Sequence, residues 1–407
     1  MISVHTRHLL VVLTALVLLS CVYWLVLIPG YMDMSLRLLQ QLRPSSVERA
    51  KQIDFPEASS LDPQMKTAGN GAVDAFSGCD ERAMGLFSDI FVVSLPGRMD
   101  RRADMERERQ ALAVNWTWVD ATPSNDHIVQ TILNEVRHLR DSLSRSNDSL
   151  PSFQWPVDMD VFPLPPFAGS DLWTAPTAAS SGSPLGVPPT AIAPVPLRPL
   201  TCAMQNSTVG PPYEPSLPPY MHLTPAKVAC WYSHLQVIRK IAMDLNADTR
   251  CNQAALVLED DVDMEKDIQE RLHGIWTALP QGWDVIFLGH CWSNETYYPA
   301  VATIKTESSM LQTSLHPSFS PKCTHAYALS RTGALKLLNH LRFPPFAYSR
   351  ALDQAIAWLV STGRLNSYSV VPSIVVQRKI GRSDVDGGRE GFGSDWRDTL
   401  ADGVLGT

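Results

Sequence analysis

Four carboxylates crowd one short stretch of the chain: Glu259, Asp260 and Asp261 in a row, with Asp263 two positions on. They follow the apolar run Ala254-Ala255-Leu256-Val257-Leu258. Acids this close repel one another unless a cation sits among them. Oxygen ligands with open positions suit Mg²⁺ or Mn²⁺, and such an ion can bridge a diphosphate and neutralise the charge on a leaving group. A solvated loop whose acids cap the next helix satisfies the same spacing, so that reading stays open beside the first. If strand pairing runs through the acids, Glu259 and Asp261 share one side and Asp260 takes the other.

The elements that must position these acids read as an alternation. Ile90-Phe91-Val92-Val93-Ser94-Leu95 is a short apolar run, hence a buried strand, and Pro96-Gly97 ends it. A charge-laced helix follows over 100–113, then a strand over 114–121. Ile128, Ile132, Val136, Leu139 and Leu143 recur at helical spacing and predict an amphipathic helix over 125–146. Thr224-Pro225 opens a helix reaching about residue 245, with Thr as N-cap and Pro at the first helical position. Strand 254–258, helix 265–279, strands 283–289 and 325–330, and helices 331–341 and 350–361 complete the pattern. Strands alternating with helices predict an α/β layered domain of Rossmann type with a mainly parallel sheet. In such sheets ligands bind beyond the carboxyl ends of the strands, which is where the acids fall.

The rest of the chain surrounds that domain. Leu9 to Ile28 is an uncharged run, long enough as a helix to span a bilayer and longer than a signal-peptide core. It predicts one N-terminal transmembrane helix after a short tail (1–8). A cleaved signal peptide is the competing reading, but Ile28-Pro29-Gly30-Tyr31 makes a poor cleavage site. Residues 29–85 read as a stem. The chain holds 31 prolines, and they concentrate between Pro151 and Pro219, so 150–220 reads as an insert interrupting a domain over 86–390, with a tail at 391–407. The sequons at Asn115, Asn147, Asn206 and Asn294 all follow the anchor. They favour a single-pass type II protein of the ER or Golgi membrane with its C-terminal part lumenal. Outside the span lie Cys79, Cys202, Cys230, Cys251, Cys291 and Cys323, which could form up to three disulfides or remain buried thiols. With 41 acidic against 34 basic residues and a formal charge of −7, nucleic-acid binding is not expected. Apolar content of 45% excludes a wholly disordered chain.

Several motifs, in order, resemble glycosyltransferase family 25, which includes lipopolysaccharide β-galactosyltransferase-like and procollagen galactosyltransferase-like enzymes. They are Phe91-Val92-Val93-Ser94-Leu95 with Arg98, Asp100 and Arg101, then Leu223-Thr224-Pro225 with Cys230, Ser233 and His234. Leu256-Val257-Leu258-Glu259-Asp260-Asp261, Trp283 to Gly289, and Ala326 to Ser330 with Gly333-Ala334 come next. Asp353, and Pro372 with Gln377, Ser383 and Asp384, close the series. The resemblance covers roughly 88–122 and 222–385. Lys227 departs from it, standing where the family often carries Glu, and the proline-rich insert is extra.

The resemblance implies a GT-A-type fold, a UDP-hexose donor (galactose or glucose), a glycan or protein acceptor, a divalent metal (Mn²⁺ or Mg²⁺), and inversion at the anomeric carbon. It makes Asp260 and Asp261 the metal and diphosphate residues, supported by Glu259 or Asp263, with Asp261 and Asp353 as catalytic candidates. Asp353 is the candidate base, and an ordinary helix N-terminal acid is its alternative. Arg98 and Arg101 suit donor phosphates, since a guanidinium makes forked bonds, or else belong to a mixed-charge helix face. Asp120 suits the uridine or ribose, and Ser383 and Asp384 could close over the donor. Both places also suit turn residues. Ser233 and His234 are secondary candidates, His234 also reading as a buried, hydrogen-bonded histidine. The alternatives to a transferase are a non-catalytic lumenal binding protein on the same fold and a metal-dependent phosphohydrolase.

Overall fold

The computed structural model describes residues 81–143, 153–156, 199–244, 254–305, 312–378 and 400–406, all within one unit spanning Gly71–Thr407. The expected span at 9–28, most of the stem and of the proline-rich insert, and Ser383 and Asp384 lie outside the described residues. Among the described residues no helix is long and apolar enough to cross a membrane.

The chain runs β1 (Asp89–Ser94), α1 (Met99–Ala111), β2 (Thr117–Asp120), α2 (His127–Leu143), α3 (Pro225–Met243), β3 (Ala254–Glu259) and β4 (Val262–Met264). It continues through α4 (Ile268–Trp276), β5 (Val285–Phe287), β6 (Ala302–Lys305), β7 (Gln312–Pro317) and β8 (Ala326–Ser330). Last come α5 (Arg331–Leu341), α6 (Leu352–Ser361), β9 (Ser367–Val371) and β10 (Val375–Gln377). Eight strands form one sheet in the order β2-β1-β3-β8-β5-β9-β7-β6, and β10 pairs with β4 in a separate ribbon.

The sheet, expected to be mainly parallel, is mixed. β1 is parallel to β2 and β3, and β5 to β9, but β8 runs antiparallel between β3 and β5, and β7 antiparallel between β9 and β6. The reason lies in the connections. A parallel neighbour needs a crossover, usually helical. From β5 to β8 the chain makes only the β6–β7 hairpin excursion, with no described helix, so β8 returns beside β5 in the opposite sense.

Two cores explain the uninterrupted apolar runs. Phe91, Val93, Ala255 and Val257 face a layer built from α2, α3, α5 and α6. Their alternate neighbours Ile90, Val92, Leu256 and Leu258 face Met105 of α1 and Leu272 and Ile275 of α4. A strand covered on both faces has no polar side to show. Each such side chain, fully buried, contributes about 1.5–3 kcal/mol. The start of α3 follows its sequence signal, Thr224 capping it by accepting from Lys227 N, and in the structure Ser330 caps α5 by accepting from Gly333 N. Gly333 is obligatory there, because a Cβ would stand 2.1 Å from Asp284 O.

The C-terminal end is drawn into the same unit. Residues 400–406, read from sequence as part of a tail, lie along β4. Ala401 N and Asp402 N donate to the buried carboxylate of Glu265 at 2.8 and 2.9 Å, Val404 N to Met264 O, and Leu405 N to Asp263 Oδ1.

Candidate active site

β3 ends at Glu259, and the chain turns at Asp260 and Asp261 before β4. The strand thus runs one residue past the expected 254–258, but pairing does not continue through Asp260 and Asp261, and the acids sort differently. Asp260 and Asp261 converge on one guanidinium: Arg101 Nη1 of α1 is 2.9 Å from Asp260 Oδ1 and 3.1 Å from Asp261 Oδ2. Gln377 Nε2 of β10 donates to Asp261 Oδ2 at 3.1 Å, and Arg378 N donates to the Asp261 carbonyl. Asp261 Oδ1 is buried with no hydrogen-bond partner among the described residues. Burial, with the charges of Glu259 and Asp260, pushes the Asp261 carboxyl up to about 7 against the pull of Arg101. Burial likewise raises Asp260, opposed by Arg101.

Glu259 turns the other way, toward α3. Its Oε1 lies 3.3 Å from His234 Nε2 and accepts from Thr324 Oγ1 at 2.6 Å. Burial alone would raise this carboxyl, but the His234 bond and charge outweigh it and hold the group well below its ordinary value. His234 Nδ1 is in turn 2.9 Å from Tyr327 Oη, so the ring is fixed at both nitrogens. Cys230, one helical turn before His234, places its thiol where Glu259, Asp353 and Asp261 all act on it. Burial first, then those charges, push it well above its ordinary value.

Asp353 sits in the first turn of α6. Its carboxylate accepts from Gln354 N at 2.7 Å and more weakly from Cys323 N at 3.4 Å. Burial raises it, these amides and Lys322 lower it, and Glu259 raises it further. The sheet thus brings Glu259, Asp260, Asp261, Asp353, Arg101, Cys230 and His234 to one edge. A disulfide between Cys291 and Cys323 ties the loop after β5 to the segment that serves Asp353 and Glu259. Of the other cysteines, Cys202 and Cys230 are free thiols, while Cys79 and Cys251 lie outside the described residues.

Asp263 is not part of this group, which corrects the expectation that it supports the same ion. It is fully buried on β4, where Leu405 N donates to it. Burial, then a hydrogen bond and the charge of Asp263, push Glu108 of α1 up to about 9, so Glu108 is a neutral acid at neutral pH and can donate to Asp263. The pair fastens α1 to β4 rather than facing the site.

The remaining candidates separate. Arg98 makes a forked pair with Asp100, at 3.0 and 2.9 Å, and its charge acts on neighbouring Arg101. Asp120 is exposed at the end of β2 and accepts from Arg102, which also bonds Ser94 O and lies 5.1 Å over the Trp118 ring. Arg102 thus braces the carboxyl ends of β1 and β2. Ser233 is a clamp: its hydroxyl donates to Ala229 O and accepts from Thr122 N, binding α3 to the loop after β2. Lys227 is buried and donates to Tyr220 O at 2.7 Å and His222 O at 2.9 Å, which explains a lysine at this place. Sequence reasoning missed Arg102, Thr324 and Tyr327 as members of the site's support. Gln377 carried a signal, since it stood in the last matching motif.

The geometry defines a class: a layered α/β domain with an acidic, arginine-paired site beyond the carboxyl ends of parallel strands. Residues 218–352 match the family model of glycosyltransferase family 25 (LPS biosynthesis protein). Over that segment, from the turn before α3 to the first residue of α6, the resemblance read from the motifs holds. It takes in Cys230, His234 and the acidic turn, and stops one residue short of Asp353. No curated protein matches the chain.

Proposed function

We propose that the chain transfers a hexose from a nucleoside diphosphate sugar, UDP-galactose or UDP-glucose, to a hydroxyl of a glycan or protein acceptor, with inversion. The observation that carries this reading is the meeting of two differently kept acids at one sheet edge. The Asp260–Asp261 turn is paired to Arg101, and Asp353 has a raised pKa and, among the described residues, accepts from two backbone amides.

In a single displacement the acceptor oxygen attacks the anomeric carbon, the bond from that carbon to the diphosphate oxygen breaks, and the acceptor proton must go to a base. A carboxylate whose pKa is lifted is better matched to that task than an ordinary one. Asp353 is therefore the base in this reading. Arg101, held on the acidic turn, is the group that faces the donor's diphosphate, in a site where cationic help lowers the barrier most. The all-oxygen set at Asp260 and Asp261, with a buried Oδ1 that has no partner among the described residues, fits a hard divalent ion, Mn²⁺ or Mg²⁺. Bound there, such an ion offsets charge on the departing diphosphate.

Membrane attachment through residues 9–28 and a lumenal site belong to the same proposal. The uncharged run and the sequons support it. So does the Cys291–Cys323 disulfide, since such bonds persist in oxidising compartments.

The test is release of UDP from UDP-hexoses by the full chain with Mn²⁺. Asp353→Asn is expected to lower kcat by about 10²–10⁴-fold while donor binding, read by calorimetry, stays as in the wild type. Wild-type turnover in that variant refutes the base assignment. Donor binding without turnover in the wild type moves the chain to the non-catalytic reading.

A further inference from the structure

Glu259 belongs to a different donor set from its acidic neighbours. We propose that Cys230, His234 and Glu259 form a zinc-type metal site of mixed sulfur, nitrogen and oxygen ligands, beside the all-oxygen pair Asp260 and Asp261 and separate from it.

The first argument is placement. The Cys230 thiol, a His234 ring nitrogen and a Glu259 carboxylate oxygen all lie within 4.8 Å of one another. A tetrahedral ion with bonds of about 2.0–2.1 Å to nitrogen and oxygen separates those two atoms by about 3.4 Å. His234 Nε2 and Glu259 Oε1 stand 3.3 Å apart. Cys230 and His234 are four residues apart on α3, so one helix face presents both, and the end of β3 brings the third ligand across.

The second argument is orientation. A metal-bound histidine fixes its other ring nitrogen on a partner, and its ligating carboxylates are held by hydrogen bonds. His234 Nδ1 is held by Tyr327 Oη at 2.9 Å, and Glu259 Oε1 by the Thr324 hydroxyl at 2.6 Å. Both supports are in place, and they leave Nε2 directed at Glu259. The thiol of Cys230 forms no disulfide and lies among the carboxylates of Glu259, Asp261 and Asp353, whose negative charge attracts a cation.

The third argument is donor chemistry. Sulfur with imidazole and one carboxylate suits zinc and not magnesium, whereas Asp260 and Asp261 offer oxygen alone. Three protein ligands leave a fourth position for a solvent or substrate oxygen.

The proposal does not depend on the transfer reading. Co²⁺ serves as the probe, because thiolate coordination gives it a charge-transfer absorption that oxygen ligands cannot. The full chain titrated with Co²⁺ is expected to develop that band to one equivalent, and Zn²⁺ to abolish it. Cys230→Ser should remove the band, and His234→Gln should weaken or remove it. Tyr327→Phe should keep it but lower affinity by about 10–100-fold, an effect a purely packing role would not produce. Asp261→Asn should leave it intact. Near-UV circular dichroism checks folding, and Tyr327→Phe and His234→Gln carry the test if Cys230→Ser does not fold. Absence of the band, or an equal band in Cys230→Ser, overturns the site and leaves a hydrogen-bonded His234–Glu259 pair. UDP-hexose binding with Mn²⁺, measured on the same samples, keeps the two readings apart. Donor binding without the band defeats only the zinc site, and the band without donor binding defeats only the transferase.

Discussion

Replacing Asp261 by Asn should stabilise the metal-free protein at alkaline pH while abolishing its response to Mn²⁺. The carboxyl is lifted from its ordinary 3.8 to about 7, chiefly by burial and by the charges of Glu259 and Asp260. At about 1.4 kcal/mol per pH unit, ionising it in the folded state costs about 4 kcal/mol. The sign follows from linkage. A folded-state pKa above the unfolded one gives stability that is present below pH 3.8 and is lost as pH rises toward 7. Wild type therefore weakens across that window from this group, and an asparagine, which never ionises, does not. The amide adds a donor that must find an acceptor, a cost of about 1–3 kcal/mol, leaving a net gain of about 1–3 kcal/mol at pH 8. Urea unfolding in chelator, at pH 4 and pH 8, measures the variant-minus-wild-type difference at each. That difference should move in favour of the variant as pH rises, and Mn²⁺ at pH 8 should raise the Tm of wild type alone. A difference that stays constant, or moves the other way, would falsify the account of Asp261 as a strained, cation-seeking acid.

The other predictions test the scaffold. Glu108, lifted to about 9 by burial and by Asp263, makes stability fall between pH 4.5 and about 9; Glu108→Gln, which keeps a donor for Asp263, should flatten that fall in urea titrations at pH 6 and 9. Lys227→Glu, restoring the residue type common in the resembled family, sets a buried carboxylate against two carbonyl oxygens and should cost about 3 kcal/mol or more, read by thermal melting. Gly333→Ala forces a methyl to 2.1 Å from Asp284 O and should cost about 1–3 kcal/mol; a neutral result would mean that α5 slides freely on β5. Cys291→Ser with Cys323→Ser should cost about 2–4 kcal/mol and lower kcat more than it changes donor affinity, because Cys323 N and Thr324 serve Asp353 and Glu259.

What could be read from the sequence was what is local. The runs at β1 and β3 are apolar on both faces, so their type and length survive any topology. The cap at Thr224 and the acidic cluster at 259–261 were equally plain. The sense of β8 was not, because direction depends on how the chain crosses between strands, and no residue of Ala326–Ser330 records it. β4, β6, β7, β9 and β10 were missed because they are short or rich in Ser and Thr, and take their order from their neighbours. The sorting of the acids was beyond reach for the same reason. Asp263 pairs with Glu108 from α1, and Glu259 with His234 from α3, partners far away in sequence. Only the break in alternation at Asp260 separates these roles, and a turn of that kind leaves no pattern in a run of acids.

The segment along β4 has a practical consequence for anyone cutting this protein. Glu265 and Asp263 are buried, and the amides of Ala401, Asp402 and Leu405 bond to them. A chain stopped at residue 390, where sequence composition suggests a tail begins, would leave two interior carboxylates without those donors and remove the cover from the ribbon that carries Gln377 to Asp261. A shortened preparation that fails to bind or react would then report on a frayed ribbon and not on catalysis. A truncation that keeps residues 400–406 avoids that ambiguity.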